Sequence, residues 1–425
     1  MPNVVSPDEI PKLLTRGATV FVQGATGEPT VLVEALRRFP EHSRDTHYIF
    51  CGLPGINRSD FAGLHETASA TSFFVYDTND AGSEAGRVRF VPQHYRGTYD
   101  YLSRQTPDFA LIQTAAPDSG GRCSLGTSVD FVPAVLDSDV TLIAEVNRQM
   151  PAPPGSPTIP FDGIDYVVST DRPLIEVPAG EASRTAKQVA ANVVGLIGDG
   201  DCLQFGIGKI PASVLSLLGD RRDLGIHGGM LTDEVVDLHG AGAVTGARKA
   251  IEAGRMVCGV LVGTNKLYEW ASKRDDILYR PVNYTHDVRV IAQLDNFVSI
   301  NSVLSVDLAG QANAEMLNGR QIGGTGGLLD FVRGARLSRG GRSILALTAT
   351  AGRGRHSRIV GKLGEASMVS CPRADIDYVV TEYGAARLRD KSTDERAEAL
   401  IGLAAPQFRQ ALTTEWEESQ RSTRR

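Results

Sequence analysis

Three glycine-rich turns hold the residues of this sequence that are best suited to chemistry. The turns read GATGEP (24–29), GIGKIP (206–211) and IGGTGG (322–327). Glycine turns that lead into helices present free backbone N–H groups, which can bind a phosphate or a developing oxyanion. In the first turn Glu28 is predicted to be exposed before a helix. Neither the P-loop motif nor a clean dinucleotide-binding motif occurs in any of the three.

The elements that must position these turns recur along the chain. The stretches GATVFVQGATGEPTVLVEAL (17–36) and GDCLQFGIGKIPASVLSLL (200–218) each predict a strand, a glycine turn, a proline and a helix. The string IDYVV follows in each half, at 164–168 and at 376–380. Repeats of this size are whole domains rather than solenoid units. Two related domains are therefore predicted, over residues 1–180 and 181–425.

The strand patterns indicate the fold class. Runs such as ATVFVQ, VTLIAEV and RSILALTA are almost continuously apolar, which is typical of parallel strands covered on both faces. In open α/β sheets, ligands bind beyond the strand ends, where the chain here places glycines. We therefore predict an α/β protein made of two related open α/β domains.

The overall composition excludes several classes of protein. A length of 425 residues suits two domains, and a net charge of −6 argues against a general nucleic-acid binder. Apolar runs of about 18 residues are absent, so no membrane helix is expected. The start shows no signal-peptide pattern, and a cytoplasmic protein is predicted. Five scattered cysteines and eight dispersed histidines predict no metal site.

Longer strings carry a resemblance that spans nearly the whole chain. They include FALIQTAAPDSGGRCSLGTSVDF (109–131), LGIHGGMLTDEVVDL (224–238), GTNKLYEW (263–270), INSVLSVDLAGQ (300–311) and DYVVTEYGAARLRDKSTDERAEALI (377–401). In these strings, and in their order, the chain resembles the acetyl-CoA hydrolase/transferase family, which includes acetate and 4-hydroxybutyrate CoA-transferases. The resemblance implies the class I CoA-transferase fold and an acyl-CoA substrate, with no metal.

The resemblance also implies a mechanism. Members of the family use a glutamate that attacks the acyl-CoA thioester, forms an acyl-glutamyl anhydride and then a glutamyl-CoA thioester, and so divides one difficult exchange into two. Backbone N–H groups and an asparagine amide stabilise the oxyanion. Asn301, in the INS string, matches that asparagine. The backbone positions implied in CoA or oxyanion contact are Gly206, Gly208, Gly324, Thr325, Gly326 and Gly327.

The sequence departs from the family at the nucleophile. The transferases typically read GIHTEM, with the glutamate just before methionine, whereas this chain reads GIHGGM over residues 225–230. Gly229 therefore stands where the glutamate is expected. Glycine has no side chain to acylate, so the ping-pong route cannot run from this position.

Several routes remain open without that glutamate. Water can attack the thioester directly, or an amine or alcohol can be acylated in one step. A replacement carboxylate can come from Glu28, or from Glu234 with its neighbour Asp233, and His227 can act as a general base. Each residue has a structural alternative: a turn position for Glu28, a helix start for Glu234, a packed ring for His227 and a strand-ending asparagine for Asn301.

Three functions follow from these routes. The first is an acyl-CoA-processing enzyme, either hydrolase or transferase, with an altered mechanism. The second is an acyl-CoA binding protein that has lost its catalysis, and the third is a biosynthetic acyltransferase to an amine or alcohol. The expected partners are acyl-CoA and a small acceptor, with neither nucleic acid nor membrane, and a homo-oligomer is predicted because dimers are common in the resembling family.

Overall fold

The computed structural model describes residues 1–75, 81–136 and 138–423. Its strands are β1 (Asn3–Val4), β2 (Thr19–Val22), β3 (His47–Phe50), β4 (Ser69–Ser72), β5 (Val88–Phe90), β6 (Phe109–Ala115), β7 (Arg122–Ser124), β8 (Thr141–Asn147), β9 (Thr158–Pro160), β10 (Tyr166–Thr170), β11 (Cys202–Phe205), β12 (Gly225–Ile226), β13 (Met230–Leu231), β14 (Met256–Cys258), β15 (Val260–Leu261), β16 (Ile277–Tyr279), β17 (Phe297–Ser302), β18 (Ser305–Asp307), β19 (Ala312–Asn313), β20 (Met316–Leu317), β21 (Arg320–Gln321), β22 (Arg342–Ala346), β23 (Thr350–Ala351), β24 (His356–Ser357), β25 (Ile359–Val360), β26 (Tyr378–Thr381) and β27 (Gly384–Arg387).

Helices alternate with these strands along the chain. They are α1 (Ile10–Leu13), α2 (Thr30–Arg38), α3 (Ala81–Glu84), α4 (Tyr95–Leu102), α5 (Val132–Leu136), α6 (Arg184–Val194), α7 (Lys209–Ser216), α8 (Asp233–Gly240), α9 (Asn265–Ala271), α10 (Val282–Thr285), α11 (Val288–Ile291), α12 (Leu328–Leu337), α13 (Thr393–Leu403) and α14 (Pro406–Thr423). No helix in the described ranges is both long and apolar enough to cross a membrane.

The first compact unit comprises Met1–Pro178 together with two later segments, Gly229–Asp233 and Val257–Thr285. Its main sheet has eight strands in the order β1-β10-β8-β6-β2-β3-β4-β5, and the neighbouring strands are parallel. The central strands β6 and β8 are buried along almost their whole length, because a parallel sheet is covered on both faces. Helix α2 buries one apolar stripe, at Leu32, Val33, Ala35 and Leu36, in the core of this unit.

The second compact unit comprises Ala179–Gly228, Glu234–Met256 and His286–Arg425. Its main sheet has the order β12-β11-β17-β22-β26-β27, and only the pair β26–β27 is antiparallel among the pairings described for it. Ser183 caps helix α6 by accepting a hydrogen bond from the Ala186 N–H, which fixes where this helix begins.

The α/β prediction is confirmed, because each unit is an open, largely parallel sheet with helices between its strands. The repeated strings mark corresponding elements: β2 and β11 each precede a glycine turn and a helix, and the two IDYVV strings enter β10 and β26. The prediction divides the chain once, near residue 180. In the structure, two segments beyond that point, Gly229–Asp233 and Val257–Thr285, also belong to the first unit. The domain limits stay a prediction.

Candidate functional site

The glycine turn of the first unit is held in an unusual backbone shape. It leaves the carboxyl end of β2, and Gly24 passes so close to the next strand that a Cβ there would lie 2.3 Å from the Cys51 carbonyl oxygen. Ala25 has a φ of +52°, which is strained for a residue with a side chain. The Asn57 side chain holds it, because its Oδ1 accepts the Ala25 N–H at 2.9 Å and its Nδ2 donates to the Ala25 carbonyl.

Glu28 ends this turn, and the prediction that it is exposed is wrong. The residue is only 5% exposed, because its side chain folds inward onto two neighbours. Asn57 Nδ2 donates to one carboxylate oxygen at 3.0 Å and Ser59 Oγ donates to the other at 2.9 Å. Burial raises the pKa of Glu28, and these two hydrogen bonds only partly oppose it. The carboxyl group thus serves to hold the turn.

A buried ion pair at the strand ends supports the same backbone. Glu145, on β8, is fully buried and receives Arg172 Nε at 2.6 Å and the Val31 N–H at 3.1 Å. Arg172 Nη2 donates to the carbonyl oxygen of Glu28 at 3.2 Å, and Gln113 Nε2 donates to that oxygen at the same distance. These hydrogen bonds, made at the carboxyl edge of the sheet, therefore hold the backbone of the first glycine turn in place.

Gly229, where the sequence resemblance predicts a glutamate, belongs to a later segment of the first unit, Gly229–Asp233. Its carbonyl oxygen accepts the N–H groups of Gly259 and Val260, each at 3.0 Å. The next residues form β13, which pairs with β15 in parallel register. Thr26 Oγ1, on the glycine turn, donates to the carbonyl oxygen of Leu261 in β15 at 2.9 Å. The backbone at Gly229 is thus ordered by strand pairing, and β15 ties it to the first glycine turn.

Asp130 is a residue of this neighbourhood that sequence reasoning missed. Its Oδ1 accepts the Phe131 N–H at 2.9 Å, and its own N–H donates to the Gly259 carbonyl at 3.3 Å. Burial raises its pKa to about 7, although the Phe131 N–H opposes that rise. The only sequence signal for it is the string GTSVDF, in which a carboxylate interrupts an otherwise uncharged stretch.

In the second unit, Gly206 and Asn301 come together at the ends of β11 and β17. Asn301 and Gln204 form a reciprocal amide pair, with Asn301 Nδ2 donating to Gln204 Oε1 at 3.0 Å and Gln204 Nε2 donating back at 3.3 Å. Asn301 Nδ2 also donates to Ser299 Oγ at 2.9 Å. A Cβ on Gly206 would lie 3.1 Å from Asn301 Oδ1, so the glycine makes room for this amide. Both amide hydrogens of Asn301 are thereby directed at protein partners.

Two further glycines shape the same region of the second unit. Gly208 has a φ of +127°, which favours glycine, and it caps the start of helix α7. A Cβ on Gly228 would lie 3.3 Å from Gln204 Cγ. Gln204 was not singled out in the sequence, although it lies two residues before the second glycine turn, much as Gln23 directly precedes the first.

His227 and Glu234 occupy very different surroundings. His227 is fully buried, and its ring meets that of Phe297 edge-on at 6.4 Å between centroids. Glu234, in the first turn of α8, lines a surface cavity of about 240 Å³ together with Leu215 and Gly219 from the end of α7. Because a helix rises 1.5 Å per residue, α7 separates this cavity from the Gly206 turn by about 10 Å. The structure therefore does not bring Glu234 to that turn.

The third glycine turn leads into helix α12. Gly326 has a φ of +51°, and Gly327 is the residue before the helix. A Cβ on Gly327 would lie 2.4 Å from His286 Cδ2, so the buried His286 ring closes over the turn at this point. The Leu328 N–H donates to the Thr325 carbonyl at 3.3 Å, and Gly324 precedes this bonded segment. The conformation of the third glycine turn is thus set by residues of the second unit.

Comparisons with known proteins agree with these two α/β units. The N-terminal domain model of the acetyl-CoA hydrolase/transferase family matches residues 2–177, and the C-terminal domain model matches residues 263–416. The chain belongs to the acetyl-CoA hydrolase/transferase family, a family of enzymes, as its motifs indicated.

Individual relatives cover almost the full length. The 4-hydroxybutyrate coenzyme A transferase of Clostridium kluyveri is 36% identical over 97% of this chain and 96% of its own. The acetyl-CoA hydrolase of Eremothecium gossypii is 25% identical over 77% of this chain and 71% of its own. The crystal structure of RipA from Yersinia pestis superposes with a TM-score of 0.91 at 34% identity, covering 98% of each chain.

Proposed function

We propose that this chain is an acyl-CoA-processing enzyme that passes the acyl group directly to water or to a small nucleophilic acceptor. The single observation that carries this proposal is Gly229, which stands where the family's motif has its glutamate. A glycine can form neither the acyl anhydride nor the CoA thioester of the ping-pong route, so the acceptor itself must attack the thioester carbonyl. Coenzyme A, as its acyl thioester, is the substrate, and no metal takes part.

The family relationship supports the choice of substrate. The relatives reported above are named as a CoA-transferase and as an acetyl-CoA hydrolase. These names describe acyl-CoA chemistry with two different acceptors, an acid and water. A chain of the same family without the glutamate retains the pocket positions for the thioester and loses only the covalent relay.

The proposed oxyanion and CoA contacts are the glycine turns and Asn301. They comprise Gly206, Gly208, Gly324, Thr325, Gly326, Gly327 and Asn301. Asn301 now donates both amide hydrogens to Gln204 and Ser299, so it must exchange one of these bonds to reach an oxyanion. The bond to the Ser299 hydroxyl is the simpler one to exchange, because its loss leaves the reciprocal pair with Gln204 intact.

The surroundings of the other candidates support direct attack over a relocated nucleophile. Glu28 is buried and hydrogen-bonded to Asn57 and Ser59, and Glu234 lies beside the far end of α7. His227 packs against Phe297 within its unit. A role for any of the three as nucleophile or base would require it to leave these contacts, so we assign them to structure in this proposal.

A thiol-release assay tests the proposed function. The purified chain is mixed with a panel of acyl-CoAs in buffer alone, with acetate, and with small amines and alcohols, while free CoA thiol is followed. We expect thiol release in buffer alone or with a neutral acceptor, and no acceleration by acetate. Conversion of acetate to acetyl-CoA without net thiol release, followed by chromatography of the CoA esters, would contradict the proposal, because CoA has then moved to an acid acceptor.

The two other functions appear as distinct results of the same assay. Release that depends on an amine or alcohol identifies a biosynthetic acyltransferase, which is the direct-transfer branch of the proposal. CoA binding in calorimetry, with neither thiol release nor a new CoA ester from any acyl-CoA, identifies a binding protein and overturns the enzymatic proposal.

A further inference from the structure

We propose that Asp130 is the general base that activates the attacking water or acceptor in this chain. This inference rests on the proposed function, because a direct attack needs a group to take the proton of the attacking nucleophile. The ping-pong route has no such need in its first step, since a carboxylate attacks without losing a proton. Without a glutamate at position 229, the reaction therefore needs a general base near this position.

The geometry places Asp130 beside the vacant position. Gly259 lies between the two residues: a Cβ built on it would lie 3.2 Å from the carbonyl oxygen of Gly229 and 3.5 Å from the Cβ of Asp130. The backbone makes the same connection, because the Gly259 N–H donates to Gly229 and the Gly259 carbonyl accepts the Asp130 N–H. Neither Gly259 nor Gly229 has a side chain to fill this space.

Asp130 itself is well anchored in the first unit. Its carbonyl oxygen accepts the Val282 N–H at 2.9 Å, and its Oδ1 accepts the Phe131 N–H at 2.9 Å. The side chain remains partly exposed while its neighbours Ser128 and Val129 are fully buried. Asp130 is therefore partly accessible, and we assign its carboxylate, which Ser128 also stabilises by a hydrogen bond, to receiving the proton of a bound nucleophile.

The thiol of Cys51 lies within electrostatic range of this carboxylate. Burial and the Asp130 charge both raise the pKa of Cys51 well above its usual range, so that thiol stays protonated. The Arg280 carbonyl lies 3.3 Å from a Cβ on Gly259, and its guanidinium lies over the Tyr284 ring at 5.8 Å. The base strength of Asp130 comes from burial, since a desolvated carboxylate takes a proton near neutral pH.

The proton balance of the proposed step is complete. Water attacks the thioester carbonyl and its proton passes to Asp130 as the new C–O bond forms. The tetrahedral intermediate then expels CoA as the C–S bond breaks, and Asp130 returns the proton to the sulfur. Acid and free CoA leave, and the carboxylate is regenerated without any oxidant or further reactant.

The test compares Asp130→Asn with Asp118→Asn on the full chain. The amide introduced by Asp130→Asn keeps an oxygen to accept the Phe131 N–H, so folding should be retained, and Asp118 is an exposed turn aspartate of the same unit. We expect Asp130→Asn to lower kcat for hydrolysis by about 10²- to 10⁴-fold with KM little changed. We expect Asp118→Asn to retain the activity. In the unmodified chain kcat should rise with pH to a plateau above about 7, and this limb should vanish in Asp130→Asn.

Each alternative has its own result. Hydroxylamine attacks thioesters without a base, so its reaction in the presence of Asp130→Asn should exceed the rate without protein and show that the pocket of the variant is intact. Wild-type kcat in Asp130→Asn overturns the inference while the proposed function stands. A covalent CoA or acyl adduct on Asp130 also overturns it, because the residue is then a nucleophile. Absence of thiol release from the unmodified chain overturns both proposals together.

Discussion

The backbone N–H of Gly259 donates to the carbonyl oxygen of Gly229 at 3.0 Å, so the residue directly before β13 is held by ordered backbone hydrogen bonds. The neighbouring Val260 N–H makes a second bond to the same oxygen. The backbone therefore positions a residue at 229 whatever its side chain, and we propose that glycine here removes the reacting group while the surrounding backbone is retained.

A glutamate introduced at position 229 should therefore allow the covalent ping-pong route. We expect Gly229→Glu to gain acid-dependent CoA transfer, with parallel lines in a two-substrate kinetic plot, because the new carboxylate emerges from a backbone that β13 and β15 hold in place. Gly229→Gln is the matched control, since it has the same shape without a nucleophilic carboxylate. Equal transferase rates in the two variants would show that the loop has been wrongly aligned with the family motif.

A side chain at position 206 should lower the catalytic rate, because it would disturb the position of Asn301. A Cβ at Gly206 would lie 3.1 Å from Asn301 Oδ1 and must push that amide aside. We expect Gly206→Ala to lower kcat by about 10- to 100-fold, less than the loss of about 10²- to 10³-fold on removal of an oxyanion donor, because the amide is displaced but still present. Gly219→Ala is the control, because a Cβ there meets no atom within 4 Å. Steady-state kinetics with one acyl-CoA would measure both, and equal losses would separate Asn301 from the chemistry.

Glu28 should make stability depend on pH. Burial raises its pKa in the folded chain above the ordinary value of 4.5, so folding favours its protonated form. That contribution is fully present below pH 4.5 and is lost as the pH rises through the raised pKa. Glu28→Gln is uncharged at every pH, so its stability relative to the unmodified chain should increase from pH 5 to pH 8. Urea unfolding at the two pH values measures this, and a constant difference would refute it.

The ion pair between Arg172 and Glu145 should matter more than a surface pair. Glu145 is fully buried, and removal of its partner leaves a carboxylate without compensation. We expect Arg172→Met to lower the free energy of unfolding by about 3 kcal/mol, and the additional change Glu145→Gln to recover much of that loss. Denaturant unfolding of the single and double variants tests the coupling. Additive losses would mean that the two side chains act independently.

The fold could be predicted from local sequence patterns because its strands, turns and helix starts depend on residues that are close together in the chain. The apolar runs before Gly24 and Gly206 became β2 and β11, since a buried parallel strand needs an unbroken apolar sequence and a close turn needs glycine. Ser183 caps α6 by accepting the Ala186 N–H, a bond between residues three positions apart. Each of these features depends on residues within one turn or one strand.

The candidate site was harder to predict from the sequence, because its contacts join residues that are far apart in the chain. Asn301 and Gln204 are 97 positions apart, and Asn57 lies 29 positions from the Glu28 that it holds. The exposed turn predicted for Glu28 followed from its glycine and proline neighbours, which carry no information about Asn57. The string GTSVDF marks Asp130 only as a lone carboxylate, and its proximity to Gly229 depends on Gly259, which lies between the two residues in the fold.

Covalent trapping tests the central claim most directly. The chain is incubated with an acyl-CoA that it turns over, treated with borohydride, which reduces a glutamyl-CoA thioester, and digested for peptide mass analysis, with Gly229→Glu as the positive control. We expect a reduced residue at position 229 in the variant and no modified carboxylate in the unmodified chain. A reduced glutamate in the unmodified chain, at Glu28, Glu234 or elsewhere, would contradict it.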